Sequence, residues 1–333
     1  MEIGREPRLG DVAERAGVSV ATVSRVLNNR GYLSQTTRDR VSKAIEELDY
    51  RPNQVARSLL SQRTGTIGLI VPTVALPFYG EIAVGIENEL AERGLRLLLC
   101  NSFGRADRER EHLDLLVRNR VDGIISGAHN DPLPEYRTIR QPAVTIDREL
   151  APHIPNVRAE NERGGRLATE HLLSRGARRP AFLTSRSHER NLRERGYRAV
   201  LAEASIEPII LTADFHLPEP QRTQRVRDAL DGHPDLDSVF ATDDLLAASA
   251  LEWAHDIGRR VPDDLRVVGF DGTLAMRRAL PGLTTVQQPI AALCATAVDL
   301  LARRIDSSQR SGNESDEVPP VELPVTLIVG RTS

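Results

Sequence analysis

The chain has 333 residues, enough for two or three compact units and for a core that needs no metal or disulfide to hold it. Hydrophobic residues make up 40% and charged residues 27%, which excludes a collagen-like, mucin-like or wholly disordered chain. The net charge of −3 divides unevenly, +3 over residues 1–63 and −6 over the rest, and a basic head on an acidic body hints at a polyanion partner for the head.

The head reads as three short helices. Gly10-Asp11 opens a run with Val12, Ala13 and Ala16 at helical spacing, and Gly17 stops it. Ser19 is placed to cap a second helix over 20–28, with Val23, Val26 and Leu27 facing inward. Asn28-Asn29-Arg30-Gly31 signals a turn, and Ser34 opens a third helix with Val41, Ile45 and Leu48 on one face. Two helices joined by a short turn containing Gly form a helix-turn-helix. Pro52 then starts a segment whose sizeable apolar residues are Val55, Leu59 and Leu60. It is too short for a stable isolated helix and reads as a hinge that folds conditionally.

From residue 65 strand-like runs alternate with amphipathic stretches. TIGLIV, a helix over 79–93, LRLLLC, a helix over 106–118, DGIIS and PAVTI form one series. A helix over 161–175, PAFLT, a helix over 189–204, PIIL, a helix over 219–230, DSVFA, a helix over 243–257 and LRVVGF form a second. This alternation predicts two similar doubly wound α/β subdomains, each a parallel sheet with helices on both faces. The polar stretch 304–317 lacks a period and reads as a surface loop.

Cys100 and Cys294 each stand alone in an apolar run. They fit two buried reduced thiols rather than a disulfide scaffold or a zinc site. The N-terminal run MEIGREPRLGDVAERAG is charged and carries no apolar signal core, and no stretch approaches the ~18 apolar residues of a membrane span. A cytoplasmic location is the expectation. The eight histidines show no metal-ligand spacing, and no cofactor motif is visible.

A helix-turn-helix lays its second helix in the major groove with N-terminal residues at base edges. Here those residues are Val20, Ala21 and Arg25. Arg25 can clamp guanine O6 and N7, worth ~1–3 kcal/mol of discrimination. Val20 and Ala21 offer apolar contact, for example to a thymine methyl. Ser19, Thr22, Ser24 and Asn28 suit phosphates, which position without specifying. A helical hairpin that merely packs on another domain is the plainer reading.

The run LGDVAERAGVSVATVSRVLNNRGYLSQTTRDRVSKAIEELDYRPNQVARSL resembles the head of the lactose-repressor/galactose-repressor family of bacterial transcription regulators. The resemblance continues in order through PFYGEIAVGIENELAERG, RVDGIIS, the IDR of 146–148, HLLSRGARRPAFLT, RERGYRAVL, VFATDDLLA, VPDDLRVVGFDGT and LTTVQQP, nearly the whole chain. It implies a small all-α helix-turn-helix head on a body of the periplasmic-binding-protein-like type I fold. The head would span 1–51 and the hinge 52–64. One effector subdomain would hold 65–161 with 290–322, and the other 162–289 with 323–333.

The resemblance also implies roles. Val20, Ala21 and Arg25 would face bases, and the Val-Ala pair is similar to the galactose-repressor branch. Leu9 and Asn53 would join the DNA contacts. Residues 52–60 would fold on operator DNA, with Leu59 and its mate in a second subunit wedged into the minor groove at a cost of ~a few kcal/mol of unstacking; docking of Leu59 and Leu60 on the body is the alternative. A homodimer would match a pseudo-palindromic operator, with its interface on the helices over 79–93 and 106–118 among others. In open α/β sheets ligands sit beyond the strand C-termini. That position and the resemblance together select Phe78, Tyr79, Asp147, Arg193, Phe215, Thr242, Asp271 and Gln288 for a sugar or nucleoside-like effector. Thr242 departs from the Asn common there, and SRSHERN lacks the usual Gly-Pro turn, so the effector type stays open.

Plainer roles exist for several of these. Asp243 suits a helix cap, Asp147 and Asp271 suit solvated loops, Phe78 and Tyr79 suit a core, and His188 suits the surface. Two other functions compete. A flavodoxin-like or Rossmann-type enzyme lacks support, because GxGxxG after the first strand, GxxxxGK[ST] and GxSxG are all missing. An extracytoplasmic sugar receptor would carry a signal peptide in place of the head.

Overall fold

The computed structural model describes residues 7–27, 33–50, 63–128, 133–214, 217–307 and 318–333. It separates into two compact units, Met1–Thr64 and Gly65–Ser333.

In the first unit, α1 (Leu9–Ala16) ends at Gly17, whose φ of 64° supplies the left-handed stop. Ser19 Oγ accepts from the Thr22 amide at 3.2 Å and starts α2 (Val20–Leu27). Ser34 does the same for Thr37 at the head of α3 (Gln35–Glu47). Val12, Ala13, Ala16, Val23, Val41, Ala44 and Tyr50 form the core, with Val26, Leu27, Ile45 and Leu48 packed against it. The inward faces expected from periodicity are the ones that pack. Arg40 reaches from α3 to the end of α1, donating to the carbonyls of Ala16 at 3.0 Å and Gly17 at 2.9 Å. A core this small depends on such ties. The expected end of the second helix at Asn28 and the hinge over 52–62 lie outside the described residues.

Among its described residues the second unit holds two six-stranded sheets. The first subdomain contains β1 (Thr66–Val71), α4 (Pro77–Glu92), β2 (Arg96–Asn101), α5 (Ala106–Arg118), β3 (Gly123–Ser126), β4 (Ala143–Ile146) and β5 (Asn156–Ala159). The second contains α6 (Asn161–Ser174), β6 (Pro180–Thr184), α7 (Leu192–Glu203), β7 (Ile209–Thr212), α8 (Glu219–Asp231), β8 (Ser238–Ala241), α9 (Asp244–Asp256), β9 (Arg266–Asp271), α10 (Leu274–Ala279) and β10 (Thr284–Gln287). The chain then returns through α11 (Ile290–Ser307) and β11 (Val321–Leu323) to the first sheet, and ends with β12 (Thr326–Ile328) on the second. Three crossovers therefore join the subdomains, after β5, after β10 and between β11 and β12.

The strand orders are β11-β5-β4-β3-β1-β2 and β12-β10-β9-β8-β6-β7. All pairings are parallel except β10 with β12, which is antiparallel. Each sheet buries both faces, which is why its strands read as continuous apolar runs. Cys100 and Cys294 are buried free thiols, as expected.

Two expectations need correction. α7 begins at Leu192 rather than 189, because Asn191 caps it by accepting from the Glu194 amide at 3.2 Å. The polar stretch from 304 is not all loop: α11 runs to Ser307, because Ile305 is buried beside Leu301 against β3. Residues 308–317 lie outside the described residues. β5, β11, β12, α10 and α11 were not in the periodicity reading at all.

Helices α6 and α7 meet backbone to backbone. A Cβ on Gly165 would lie 2.2 Å from the Arg193 carbonyl oxygen, and one on Gly196 would lie 2.1 Å from that of Glu162. Neither obstacle is a flexible side chain, so the helices would have to part. This crossing fixes where Arg193 starts. Gly196→Ala is expected to destabilise the body by about 2–4 kcal/mol, read as a lower urea midpoint; an unchanged midpoint would show that the crossing tolerates a methyl group.

Candidate DNA-reading head and effector cleft

On the head, Val20 is 49% exposed and Ala21 and Arg25 are exposed, while Val23 between them is fully buried. The folded helix therefore exposes an apolar pair in its first turn and a guanidinium in its last. The hydroxyls of Ser19 and Thr22 lie 2.9 Å apart, and Ser19 Oγ also caps the helix. Ser24 is half-buried on the same helix. Leu9 packs partly against the head core. Asn28, Asn53 and Leu59 lie outside the described residues.

In the body, the strand C-termini bring the chosen polar residues together. Asp147 follows β4 and Asp271 ends β9; both have left-handed backbones, at φ 68° and 94°. For a non-glycine residue that geometry is strained and held by its surroundings. Thr242 follows β8, Gln288 follows β10, and Arg193 sits in the first turn of α7. Asp147 Oδ1 accepts from Asn161 Nδ2 at 2.9 Å, and Asn161 Oδ1 accepts from Arg193 Nε at 2.8 Å. Arg193 Nη1 donates to the Thr242 carbonyl and lies 3.4 Å from Asp271 Oδ1. Gln288 Nε2 donates to Asp271 Oδ1 at 2.7 Å. The result is one polar chain, Asp147–Asn161–Arg193–Asp271–Gln288, running from the first subdomain into the second.

Its charges are poorly solvated. Burial pushes the Asp271 carboxyl up to about 7, even though Arg193 beside it pulls the other way. The neighbouring Asp244 is pushed up to about 8, first by burial and then by the Asp271 charge. It accepts from Thr285 Oγ1 at 2.6 Å and from the Gly272 amide at 2.9 Å. The Arg193 guanidinium lies 3.8 Å above the centroid of Phe270, a cation–π contact. Gln288 Oε1 is buried without a hydrogen-bond partner. A buried amide oxygen with no donor is costly.

The aromatic residues divide. Tyr79 has a buried ring beside Gly127, and burial together with Asp147 raises its hydroxyl pKa well above the ordinary value. Its hydroxyl therefore lies in the field of the polar chain. Phe78 meets Tyr79 edge-on at 5.1 Å and belongs to the core of the first subdomain. Phe215 lies outside the described residues. Asp243 caps α9 by accepting from the Leu246 amide at 2.8 Å, the plainer role considered for it. His188 stays in the loop before α7, where its Nδ1 accepts from the Arg190 amide at 3.2 Å. Sequence reasoning missed Asn161 and Phe270, and gave Asp244, which follows Asp243 at the end of β8, no role. Phe270 adjoins a residue that was considered, but Asn161 had only its place at a helix start.

Among the described residues, no cluster of three or more His, Cys, Asp or Glu side chains is placed to hold a metal ion. No described helix is long and apolar enough to cross a membrane.

The family model for bacterial regulatory proteins of the lacI family matches residues 8–53, and that for the periplasmic binding protein-like domain matches 169–333. The chain is 39% identical to the ribose operon repressor of Halalkalibacterium halodurans, over 97% of this chain and 96% of that protein. It is 40% identical to the sucrose operon repressor of Pediococcus pentosaceus, over 98% of this chain and all of that protein. Among solved structures it is similar to the lac repressor dimer bound to operator and the anti-inducer ONPF, with a TM-score of 0.85 and 28% identity over 98% of this chain and 99% of that one. With a helix-turn-helix that exposes Arg25 and two sheets joined by three crossovers, the chain belongs to the lacI family of bacterial regulatory proteins.

Proposed function

We propose that this protein is a cytoplasmic transcriptional repressor that acts by binding alone. Its head reads a pseudo-palindromic operator as part of a homodimer, and its body takes a sugar or nucleoside-like effector. We assign the head to 1–51, the hinge to 52–64, and the effector subdomains to 65–161 with 290–322 and to 162–289 with 323–333. The observation that carries the reading is the polar chain across the two subdomains. Hydroxyl groups entering there find acceptors at Asp147 and Asp271, a donor fork at Arg193, and the orphan oxygen of Gln288. Tyr79, Phe215 and Thr242 complete the proposed set, with Phe78 supporting the Tyr79 ring from the core. An effector that favours one separation of the subdomains shifts the population of DNA-competent dimers. Couplings of ~1–3 kcal/mol, roughly 5–150-fold in affinity, suffice for such a switch. Apolar exposure on the outer faces of α4 and α5, at Val84, Leu115 and Val117, supports a dimer surface there.

The head contacts are proposed as Val20, Ala21 and Arg25 on bases; Ser19, Thr22, Ser24, Asn28 and Asn53 on phosphates; Leu9 against the backbone; and Leu59 in the minor groove. Arg25→Ala is expected to lose about 1–3 kcal/mol of discrimination between the selected operator and a site altered at its guanine, while non-specific binding persists. Titrating both duplexes at fixed salt checks this; an unchanged ratio would remove Arg25 from base recognition.

A thermal-shift panel tests the body. The names of the relatives put ribose and sucrose first, followed by other pentoses, hexoses, disaccharides, sugar phosphates, nucleosides and purines. A ligand at 100 times its Kd adds ~2.7 kcal/mol, a shift of several degrees. At pH 8, above the Asp271 pKa of about 7, the shift from the same ligand is expected to shrink in Asp271→Asn, with affinity about tenfold weaker, because a charge-assisted hydrogen bond is worth ~1.5–3 kcal/mol. Unchanged affinity would place the effector elsewhere.

Stability should also depend on pH through the two buried carboxyls. Their folded pKa values, about 7 for Asp271 and about 8 for Asp244, exceed that of an unfolded aspartate. At these two groups the folded chain therefore binds more protons than the unfolded chain between about pH 4 and pH 8. Their contribution to stability falls as pH rises through that window and levels off above it. Asp244→Asn is expected to flatten the slope of the urea midpoint against pH, and an unaltered slope would contradict the assignment.

A further inference from the structure

A second contact joins the subdomains away from the polar chain. Glu81 Oε1, on α4, accepts from the backbone amide of Leu274 at 2.5 Å and that of Ala275 at 3.3 Å. Those amides belong to the turn that opens α10 on the other subdomain. Thr273 caps the same turn by accepting from the Met276 amide at 3.3 Å. Glu81 and Leu274 also border a cavity of about 460 Å3 with Gln288, Pro289 and Pro324, which lie on two of the three crossovers. The contact is thus placed where a change in subdomain separation would be felt.

The two segments that make this contact also carry cleft residues. Tyr79 lies two residues before Glu81 on α4, and Asp271 lies three residues before Leu274. The turn between Asp271 and Leu274 packs closely on β10. Gly272 has a φ of 58°, and a Cβ on it would lie 2.8 Å from Gln287 Cα. A movement of Asp271 has a path of only three residues along this backbone to the two amides. Glu81 receives it on a helix whose next turn exposes Val84 to 58%.

We propose that Glu81 is a positioning residue that transmits the state of the Arg193–Asp271 pair to α4, the helix proposed for the dimer surface. The inference rests on the effector-controlled reading above. It assigns to one side chain the link between cleft and dimer surface.

The test uses the full-length chain. Nitroxide labels go on Arg140→Cys and Arg225→Cys, exposed positions on different subdomains; the native cysteines are buried. Labelled chain is diluted with unlabelled chain, and the inter-subdomain distance distribution is measured for the parent, Glu81→Gln and Glu81→Ala. Operator affinity is titrated on a duplex selected by the parent chain from a random pool. Glu81→Ala is expected to broaden or lengthen the distances and to change operator affinity roughly fivefold or more, the lower end of allosteric couplings. Glu81→Gln keeps an acceptor oxygen in place, so it is expected to move both quantities the same way by less. A lower melting temperature with unchanged distances and unchanged operator affinity would make Glu81 merely structural and overturn the proposal. Altered distances with unchanged operator affinity would overturn the transmission. A parent chain that enriches no duplex would instead overturn the repressor reading, while the distances would still report on Glu81.

Discussion

The body depends on how the Arg193 guanidinium is satisfied. It is a permanent charge in a largely buried place, and such a charge is tolerated only with partners on every side. Asn161 takes its Nε, the Thr242 carbonyl and Asp271 take Nη1, and the ring of Phe270 covers its face. These partners come from α6, the end of β8 and the end of β9, so the guanidinium fixes the register of all three against α7. The glycines where α6 crosses α7 allow it to sit there. The same group also ties the two subdomains. Through Asn161 it is linked to Asp147 of the first subdomain, so a change at Arg193 or Asp271 is felt across both.

Parallel-sheet architecture explains why the chemistry gathers at one end. Every crossover returns the chain to the N-terminal edge of the next strand, so short loops and helix starts collect at the C-terminal edge. Two such edges, joined by three crossovers, supply Asp147 from one sheet and Asp271 from the other. The head follows different physics. Its core is small, and α1 and α3 are tied by Arg40 to backbone carbonyls and by Arg15 to Glu47 at 2.6 Å. A small scaffold tied in this way suits a helix-turn-helix, because groove recognition requires side chains that project from a helix of fixed orientation.

Much of this was legible in the chain. The helix-turn-helix, its caps at Ser19 and Ser34, its inward faces and the alternation of strands and helices followed from spacing and capping chemistry. The two cysteines packed as isolated buried thiols. The missed strands share a cause. β5, β11 and β12 are three or four residues long, and their identity as strands comes from neighbours in the sheet. The last turn of α11 looks polar in sequence; the burial of Ile305 against β3 keeps it helical. Asn161 is one polar residue among many until Asp147, 14 residues back, and Arg193, 32 residues on, close around it.

The sequence by itself determined the local structure, the two-part organisation and which residues stand at strand ends and helix starts, because periodicity, capping and turn chemistry act over a few residues. It also determined the family, through motifs that run in order along the whole chain. Tertiary structure alone decided that Asp147 and Arg193 share one polar chain, that Asp244 and Asp271 hold their protons toward neutral pH, that Phe78 faces a core, and that Glu81 meets the amides of Leu274 and Ala275. Each of those depends on burial and on partners brought from distant positions, up to 194 residues away for Glu81. Electrostatic and packing energies are set by distance in space, which a linear pattern does not carry.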